Sequence, residues 1–418
     1  MRSRKTVFVL ANGCLDNRID AASIREFVRQ NGHDPTECLQ EADVILFNAC
    51  GLTGYHENAA RAMIAHIRKT AKPNAQFLLG GCLSKIRSDL ADGTSFGVDS
   101  DLTVLDELFE AKIPAQSVHA NQPLRKTCGC TDMGRGPGLI ERLADRSVWG
   151  KKGRELIGIR DSETRENVRL QRLNRRRLRR IRRKFSLKER VWSIKVSTGC
   201  LDTCSYCAVR LARGTLSSKP VDGVIDEFRE GLSSGYRDFC LTGTDIGAYG
   251  RDIGTTLDDL LETLVNEGGE FRIALRNVHP RFVRDMLPGL RKSLASGKIS
   301  CIISAAQSGN NRVLRAMKRR YTVEDLTRVY RALKKDFPHV CLRSQVIVGF
   351  PNETGDEFSD TIRLVKEVGY DLVEVYPYRP RPRTHAAQMN GHLPNEVIQR
   401  RFRTLISQCE QAVGFPVF

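Results

Sequence analysis

Apolar and polar positions alternate along this chain in two separate series. In the first 90 residues, apolar runs at 7–10, 44–47 and 77–79 are each followed by a stretch with helical spacing. Strand-then-helix alternation of this kind predicts a parallel sheet with covering helices. From about 191 to 376 a second series has strand centres near Ile194, Cys240, Ile273, Ile302, Val346 and Val373, separated by amphipathic segments. In one segment Val221, Val224, Ile225, Phe228 and Leu232 share a helical face behind Pro220, a residue tolerated in a first helical turn. Six strand–helix units are too few for a full eight-unit barrel and predict an open one. A last helix is predicted over 396–412.

The fold class that follows is α/β. An N-terminal three-layer parallel-sheet domain, Rossmann- or flavodoxin-like, is expected over 1–116, a linker over 117–190, a partial (β/α)6 barrel over 191–387, and a C-terminal helix within 388–418.

Six of the thirteen cysteines fall where this fold gathers side chains. Cys14, Cys50 and Cys82 each come two to four residues after the carboxyl end of a predicted strand. In a parallel sheet those ends share one edge, where ligands bind, so the three converge on one point. Cys200, Cys204 and Cys207 follow the first strand of the second series with C-x3-C-x2-C spacing. Thiolates so spaced in a tight loop hold three irons of a 4Fe–4S cube and leave the fourth open to a non-protein ligand. A molecule with an amine and a carboxylate chelates that iron, and an electron from the cluster then cleaves a carbon–sulfur bond in it. The alternative is a structural zinc site or three buried thiols, but the nearest further ligands, Asp202 and Cys240, are not at zinc-finger spacing.

Composition narrows the setting. With 418 residues and 40% hydrophobic content the chain can build two or three cores, which excludes a disordered or fibrous protein. No run approaches the ~20 apolar residues of a membrane span, and the apolar run at 6–11 is too short for a secretion signal. A cytoplasmic protein is expected, with no membrane partner and with cysteines serving as thiols or metal ligands.

The net charge of +18 is uneven: residues 165–190 hold thirteen Lys or Arg against Glu166 and Glu189, net +11, leaving +7 elsewhere. Leu170, Leu173, Leu178, Ile181 and Phe185 punctuate the arginines at helical intervals, predicting a basic amphipathic helix, at least when bound to a partner. Before it lie the Gly/Pro-rich stretch 134–138 and Cys128 and Cys130, read as linker thiols with metal or persulfide handling as the alternative.

These segments carry a family resemblance. The C-x3-C-x2-C triplet, with Tyr206 before its last cysteine, resembles the radical S-adenosylmethionine (SAM) superfamily. Asn12-Gly-Cys14-Leu-Asp-Asn17, Asn48-Ala-Cys50 and Gly80-Gly-Cys82 look like the three cluster-binding segments of the methylthiotransferase family. Further matches are Arg213-Gly214, Arg276-Asn-Val-His-Pro280, the stretch from Gln307 to Met317, Arg320-Tyr321 and Val348-Gly-Phe-Pro351. The resemblance runs from residue 6 to about 385, apart from the basic stretch.

It implies two 4Fe–4S clusters. An auxiliary one on Cys14, Cys50 and Cys82 carries or donates sulfur, and a radical one sits on Cys200, Cys204 and Cys207. Two SAM molecules are used per product, one giving the methyl group and one reduced to a 5′-deoxyadenosyl radical that takes hydrogen from an unactivated carbon. An external one-electron donor protein such as flavodoxin or ferredoxin is implied. SAM contacts are implied at Gly243, Thr244 and Asp245, at the backbone of Tyr206, and at Val348 and Gly349 on the strand supporting the adenine. Arg276 and Gln307 are candidates for SAM or substrate, since a guanidinium pairs bidentately with a carboxylate; a salt bridge is the alternative for Arg276.

Two departures bear on the acceptor. Family members carry a β-barrel docking domain of about 60–70 residues after the radical domain, whereas about 30 residues follow Ala387 here. The basic stretch is the second. As a replacement docking element, Arg175, Arg176, Arg177, Arg179, Arg180, Arg182 and Arg183 would meet RNA phosphates or an acidic peptide or protein; a solvated connector is the alternative. The expected acceptor is a tRNA adenosine beside the anticodon. The same chemistry on a protein side chain or ribosomally made peptide is the second reading, and a non-enzymatic iron–sulfur nucleic-acid-binding protein the third.

Overall fold

Strands β1 (Thr6–Ala11), β2 (Asp34–Thr36), β3 (Val44–Asn48) and β4 (Gln76–Gly80) form a parallel sheet in the order β2-β1-β3-β4. The structure is a computed structural model that describes residues 4–91, 95–97, 102–124, 161–185 and 190–414, with side chains from 173 onward in the helix that begins at 161. Phe8, Leu10, Ile45, Phe47 and Leu79 pack on one face against Ala60, Met63 and Ile64 of the helix Gly54–Thr70. Val7, Val44, Leu46 and Leu78 pack on the other against Ile24, Phe27 and Val28 of the helix Leu15–Gln30. Successive strand residues point to opposite faces, so strands buried on both sides make the three predicted layers. The strand missed by the pattern, β2, is Asp-Pro-Thr, too short and polar to mark itself.

The second sheet comprises β5 (Trp192–Thr198), β6 (Ser217–Ser218), β7 (Asp238–Gly243), β8 (Arg272–Arg276), β9 (Ile299–Ile303), β10 (Cys341–Val348), β11 (Leu372–Pro377) and β12 (Ala412–Gly414). Its order is β12-β11-β10-β9-β8-β7-β5-β6, parallel except between β5 and β6. The six predicted strands are β5 and β7 to β11; β6 and β12 extend the sheet at its edges. Amphipathic helices bury Phe228, Leu261, Leu294, Val329 and Val365 against one sheet face. Pro220 sits one residue earlier than expected, as the extended N-cap of the helix Val221–Ser233. The last predicted helix stops at Gln408, because Ala412 and Val413 are fully buried as β12 beside β11.

The chain divides into two compact units, Met1–Thr164 with Ala208–Gly214, and Arg165–Cys207 with Thr215–Phe418. The expected boundaries differ from these: the basic stretch and the segment after 388 both belong to the second unit. Cys128, Cys130 and the stretch 134–138 lie outside the described residues. Among the described residues no helix is long and apolar enough to cross a membrane.

The basic stretch is part of a helix, Asp161–Lys184, laid against the barrel's own sheet. Ile181 and Phe185 are buried with Cys301, Ile303, Cys341, Leu372 and Val413, and Leu178 packs beside them. Asn174 exchanges two 3.2 Å hydrogen bonds with the backbone of Gly414. Arg177 Nη1 donates to the carbonyls of Ile406 (2.8 Å) and Ala412 (2.5 Å). The helix thus packs its apolar stripe on the sheet, and one expectation is corrected: Arg177, expected to meet the substrate, faces the protein, its pKa lowered by burial. Arg175, Arg176, Arg179, Arg182 and Arg183 are exposed, as is Arg180, which reaches Glu410 at 3.5 Å.

Truncating a buried phenyl ring loses transfer energy and leaves a cavity, so Phe185→Ala is expected to destabilise the second unit by about 3 kcal/mol. Arg179→Ala, on the exposed side, should stay within about 0.5 kcal/mol of the parent. Denaturant unfolding checks both.

Candidate active site

The loop after β5 turns at Gly199, whose φ of +70° suits glycine. Inside it the Asp202 amide donates to Cys200 Sγ at 3.3 Å and the Cys207 amide to the Cys204 carbonyl at 3.1 Å. Ser205 pins the loop, donating from its amide to Met317 O (3.1 Å) and from its hydroxyl to Ala316 O (2.8 Å). Burial, then Asp245 and the neighbouring Cys207 and Cys204, push the Cys200 thiol up to about 12. The Cys200 thiol therefore feels the charges of Cys204 and Cys207 across one loop.

Ligand atoms of Cys200, Asp202 and Asp245 lie within 4.8 Å of one another. Both carboxylates are engaged by the protein. Asp202, 3% exposed, pairs with Arg281 at 3.0 Å and lies 3.7 Å from both His279 and Arg320. Asp245 Oδ1 accepts from the amides of His279 (3.0 Å) and Gly247 (3.1 Å). A zinc ion would thus compete with these partners for its fourth ligand. Three thiols and no disengaged fourth ligand among the described residues suit a cube with one open iron.

A cradle borders this loop. A Cβ on Gly243 would stand 2.5 Å from the Ser197 carbonyl, so a side chain there has no room. Thr244 Oγ1 and Gln307 Oε1 are buried without a hydrogen-bond partner, which in a native protein marks a place for an absent polar group. Gln307 is held at φ +65° by backbone hydrogen bonds of 2.9 Å to Gln345 and from Ile347. The Gly349 amide donates to Glu353 Oε2 at 2.7 Å, and Arg401 donates to the same oxygen at 2.6 Å. Val348 is a buried core residue. The Tyr206 ring packs beside Val313, Met317, Phe350 and Tyr378, leaving its backbone for the expected contact. These features fit SAM. Overpacking at Gly243 cannot be absorbed by a flexible side chain, so Gly243→Ala is expected to cost about 2 kcal/mol of stability and to weaken SAM binding about tenfold or more. Calorimetric SAM titration with a melting curve checks this.

Arg276 lies in a polar network on the inner sheet face. Glu374 accepts from Arg343 (2.8 Å), Gln345 (2.8 Å) and the Tyr376 hydroxyl (3.1 Å). Burial alone would raise Glu374; Arg343, Gln345, Arg276 and Tyr376 together hold it below its ordinary value. Strand pattern reading missed this network, although Arg343, Gln345, Glu374 and Tyr376 stand at alternate positions of β10 and β11, the period-two signal of one shared face.

In the first unit, Cys14, Cys50 and Cys82 follow β1, β3 and β4, neighbours in the sheet. Cys14 is the N-cap of the helix Leu15–Gln30, and Cys82 is the second residue of the helix Gly81–Ile86. Two of the thiols meet. Cys14 is lowered by a hydrogen bond shared with Cys50, which is correspondingly raised by that bond, by burial, and by the charges of Cys14 and Cys82. Burial lifts Cys82 to about 11, against the pull of Arg213. Arg213 also pairs with Asp20 at 2.7 Å. The asparagines of the three motifs brace the loops: Asn12 Oδ1 accepts from the Cys50 amide (2.7 Å), and Asn48 donates to the Asn17 carbonyl (2.7 Å). Gly13 has φ +87° and passes so close to Cys50 that a Cβ would lie 2.6 Å from its sulfur. Asn17 Oδ1 and Asn48 Oδ1 remain buried without a partner. The three sulfurs do not all lie within 4.8 Å of one another, but three thiols beyond neighbouring strand ends, with buried polar atoms awaiting partners, suit a second cluster.

Residues 194–365 match the Radical SAM superfamily, and residues 6–99 match the Uncharacterized protein family UPF0004. Over 400 residues the chain is 29% identical to the probable threonylcarbamoyladenosine tRNA methylthiotransferase of Pyrococcus horikoshii, covering 96% of this chain and 82% of that one. It is 25% identical over 415 residues to the tRNA-2-methylthio-N(6)-dimethylallyladenosine synthase of Carboxydothermus hydrogenoformans, covering 97% and 83%. In fold it resembles the radical SAM methyltransferase TsrM of Kitasatospora setae, with a TM-score of 0.58 at 14% identity over 92% of this chain and 77% of that one.

The chain is a radical SAM enzyme, a class defined by its barrel domain together with a 4Fe–4S cluster and SAM. Relatives spanning nearly all of it are methylthiotransferases, and the paired UPF0004 and radical SAM domains occur along it in order. The domain pair and these relatives are consistent with the radical SAM methylthiotransferase family.

Proposed function

We propose that this enzyme installs a methylthio group on an adenosine of tRNA, next to the anticodon, using two iron–sulfur clusters. The observation that carries the reading is the second thiol triad. Cys14, Cys50 and Cys82 follow three adjacent parallel strands, and Cys14 and Cys50 share a hydrogen bond, so the first unit offers a cluster site of its own. When bound, the clusters and SAM supply one-electron cleavage of a carbon–sulfur bond, sulfur, and a methyl group. Cys200, Cys204 and Cys207 hold the radical cluster, and Thr244, Gln307 and the Gly243 cradle hold SAM. Cys14, Cys50 and Cys82 hold the auxiliary cluster. A donor of the flavodoxin or ferredoxin class supplies electrons, and a tRNA substrate sets the work in the cytoplasm.

The outward arginines of the basic helix are the phosphate-facing surface in this reading. The inner-face network of Arg343, Gln345, Glu374 and Tyr376, with Arg276 nearby, favours an acceptor whose N6 substituent carries polar and anionic groups over an all-hydrocarbon one. Relatives named for a threonylcarbamoyl substituent support the same choice.

The test is anaerobic reconstitution with SAM, dithionite and tRNA bearing either the threonylcarbamoyl or the dimethylallyl adenosine, followed by nucleoside mass spectrometry. A gain of one CH2S unit on the threonylcarbamoyl nucleoside is expected. A gain only on candidate peptides would move the acceptor to protein, and failure to form 5′-deoxyadenosine would sink the enzyme reading itself.

A further inference from the structure

Arg319 is 9% exposed, yet among the described residues no carboxylate lies within ion-pair distance of it. Other arginines of the second unit differ. Arg281 pairs with Asp202, Arg343 with Glu374 and Arg401 with Glu353. Arg319 instead donates from Nε to the Tyr321 hydroxyl (2.8 Å), from Nη2 to the Ala305 carbonyl (3.0 Å), and from Nη1 to Cys204 Sγ (3.1 Å) and the Tyr206 hydroxyl (3.4 Å). A buried guanidinium without a paired counter-charge is strongly destabilising, and Asp245 feels the charge of Arg319 without pairing with it. Of the ionisable groups it touches, two are phenols whose pKa values burial raises, Tyr206 and Tyr321, and the third is the Cys204 sulfur, which is anionic as the thiolate of a metal site.

We propose that Arg319 is a positioning residue whose charge and hydrogen bond to Cys204 raise the reduction potential of the iron–sulfur cluster held by Cys200, Cys204 and Cys207. The inference rests on the cluster assignment made above. One-electron reduction, from dithionite in vitro or a flavodoxin-type donor, reduces one ferric equivalent of a cube already negative through its thiolates. A fixed positive charge at a ligand sulfur stabilises the reduced state more than the oxidised one, and hydrogen bonds to sulfur act in the same direction. Burial limits screening of the charge by solvent and salt. Arg213 offers a contrast in the first unit. It too reaches a cluster-type cysteine, Cys82, but it is neutralised by Asp20, so its effect on potential should be smaller.

The experiment uses full-length protein carrying C14A, C50A and C82A, so that one cluster dominates the signal, in an EPR-monitored redox titration. Arg319→Gln should shift the reduction equilibrium at least tenfold toward the oxidised state, ~59 mV more negative for a one-electron couple. Arg319→Lys, which keeps the charge, should recover more than half of that shift. A second readout needs no Arg319 variant: with 15N-arginine labelling, pulsed EPR of the reduced cluster should show an arginine nitrogen coupling. A Gln variant whose equilibrium stays within twofold of the parent, or a labelled parent without that coupling, overturns the proposal. Protein that binds iron and cleaves SAM while giving either result sinks this inference alone, whereas a parent that assembles no cluster sinks the assignment beneath it.

Discussion

Cys14→Ala is expected to remove methylthiolated product to background while 5′-deoxyadenosine formation stays within about threefold of the parent; Cys204→Ala should abolish both, a loss on the order of a thousandfold or more. The asymmetry follows from the architecture. The two thiol triads belong to separate compact units, each with its own apolar cores. Removing a thiol from the first leaves the loop of the second, with its anchors to Met317 and Ala316, intact. Small substitutions at half-buried positions such as Cys14 and Cys204 cost about 1 kcal/mol, so both variants should fold. Iron analysis should show one cube lost in each. Equal loss of both activities in Cys14→Ala would contradict the division of labour between the triads.

The basic helix should give the second large effect. Replacing Arg175, Arg176, Arg179, Arg182 and Arg183 by glutamine should raise KM for tRNA at least about tenfold near physiological salt, because each phosphate contact adds about 0.9 to the slope of log affinity against log salt. The slope should flatten by up to about 4.5 if all five engage duplex phosphates. Arg177→Gln should behave differently. Its guanidinium serves the Ile406 and Ala412 carbonyls, so its loss should lower stability by about 1–3 kcal/mol and leave the salt slope alone. Unchanged tRNA binding in the fivefold variant would reduce the helix to a packing element of the barrel.

The two faces of that helix show where sequence reading stopped. Apolar residues at helical spacing announced a stripe, and the arginine excess announced a charged side. Neither said that the stripe lies on β9 to β12, because Phe185 and Cys341 meet only through the barrel's closure. The same holds for the buried arginines. Arg319 and Cys204 are 115 residues apart, and Arg213 and Asp20 are 193 apart; no local pattern encodes such a pair. Short edge elements were lost for another reason, since β2, β6 and β12 have three residues or fewer and carry no period to detect.

What the sequence by itself determined is the alternation of strand and helix, hence two parallel sheets, and the placing of six cysteines just beyond strand ends. Periodicity and spacing are local properties of the chain, and in a parallel sheet they also decide which edge a residue reaches. The tertiary structure alone decided which charges are buried with partners, which arginine stands beside a sulfur without a carboxylate, and which side of the basic helix faces water. Burial and long-range pairing are products of packing, and they exist only once the strands have been brought side by side.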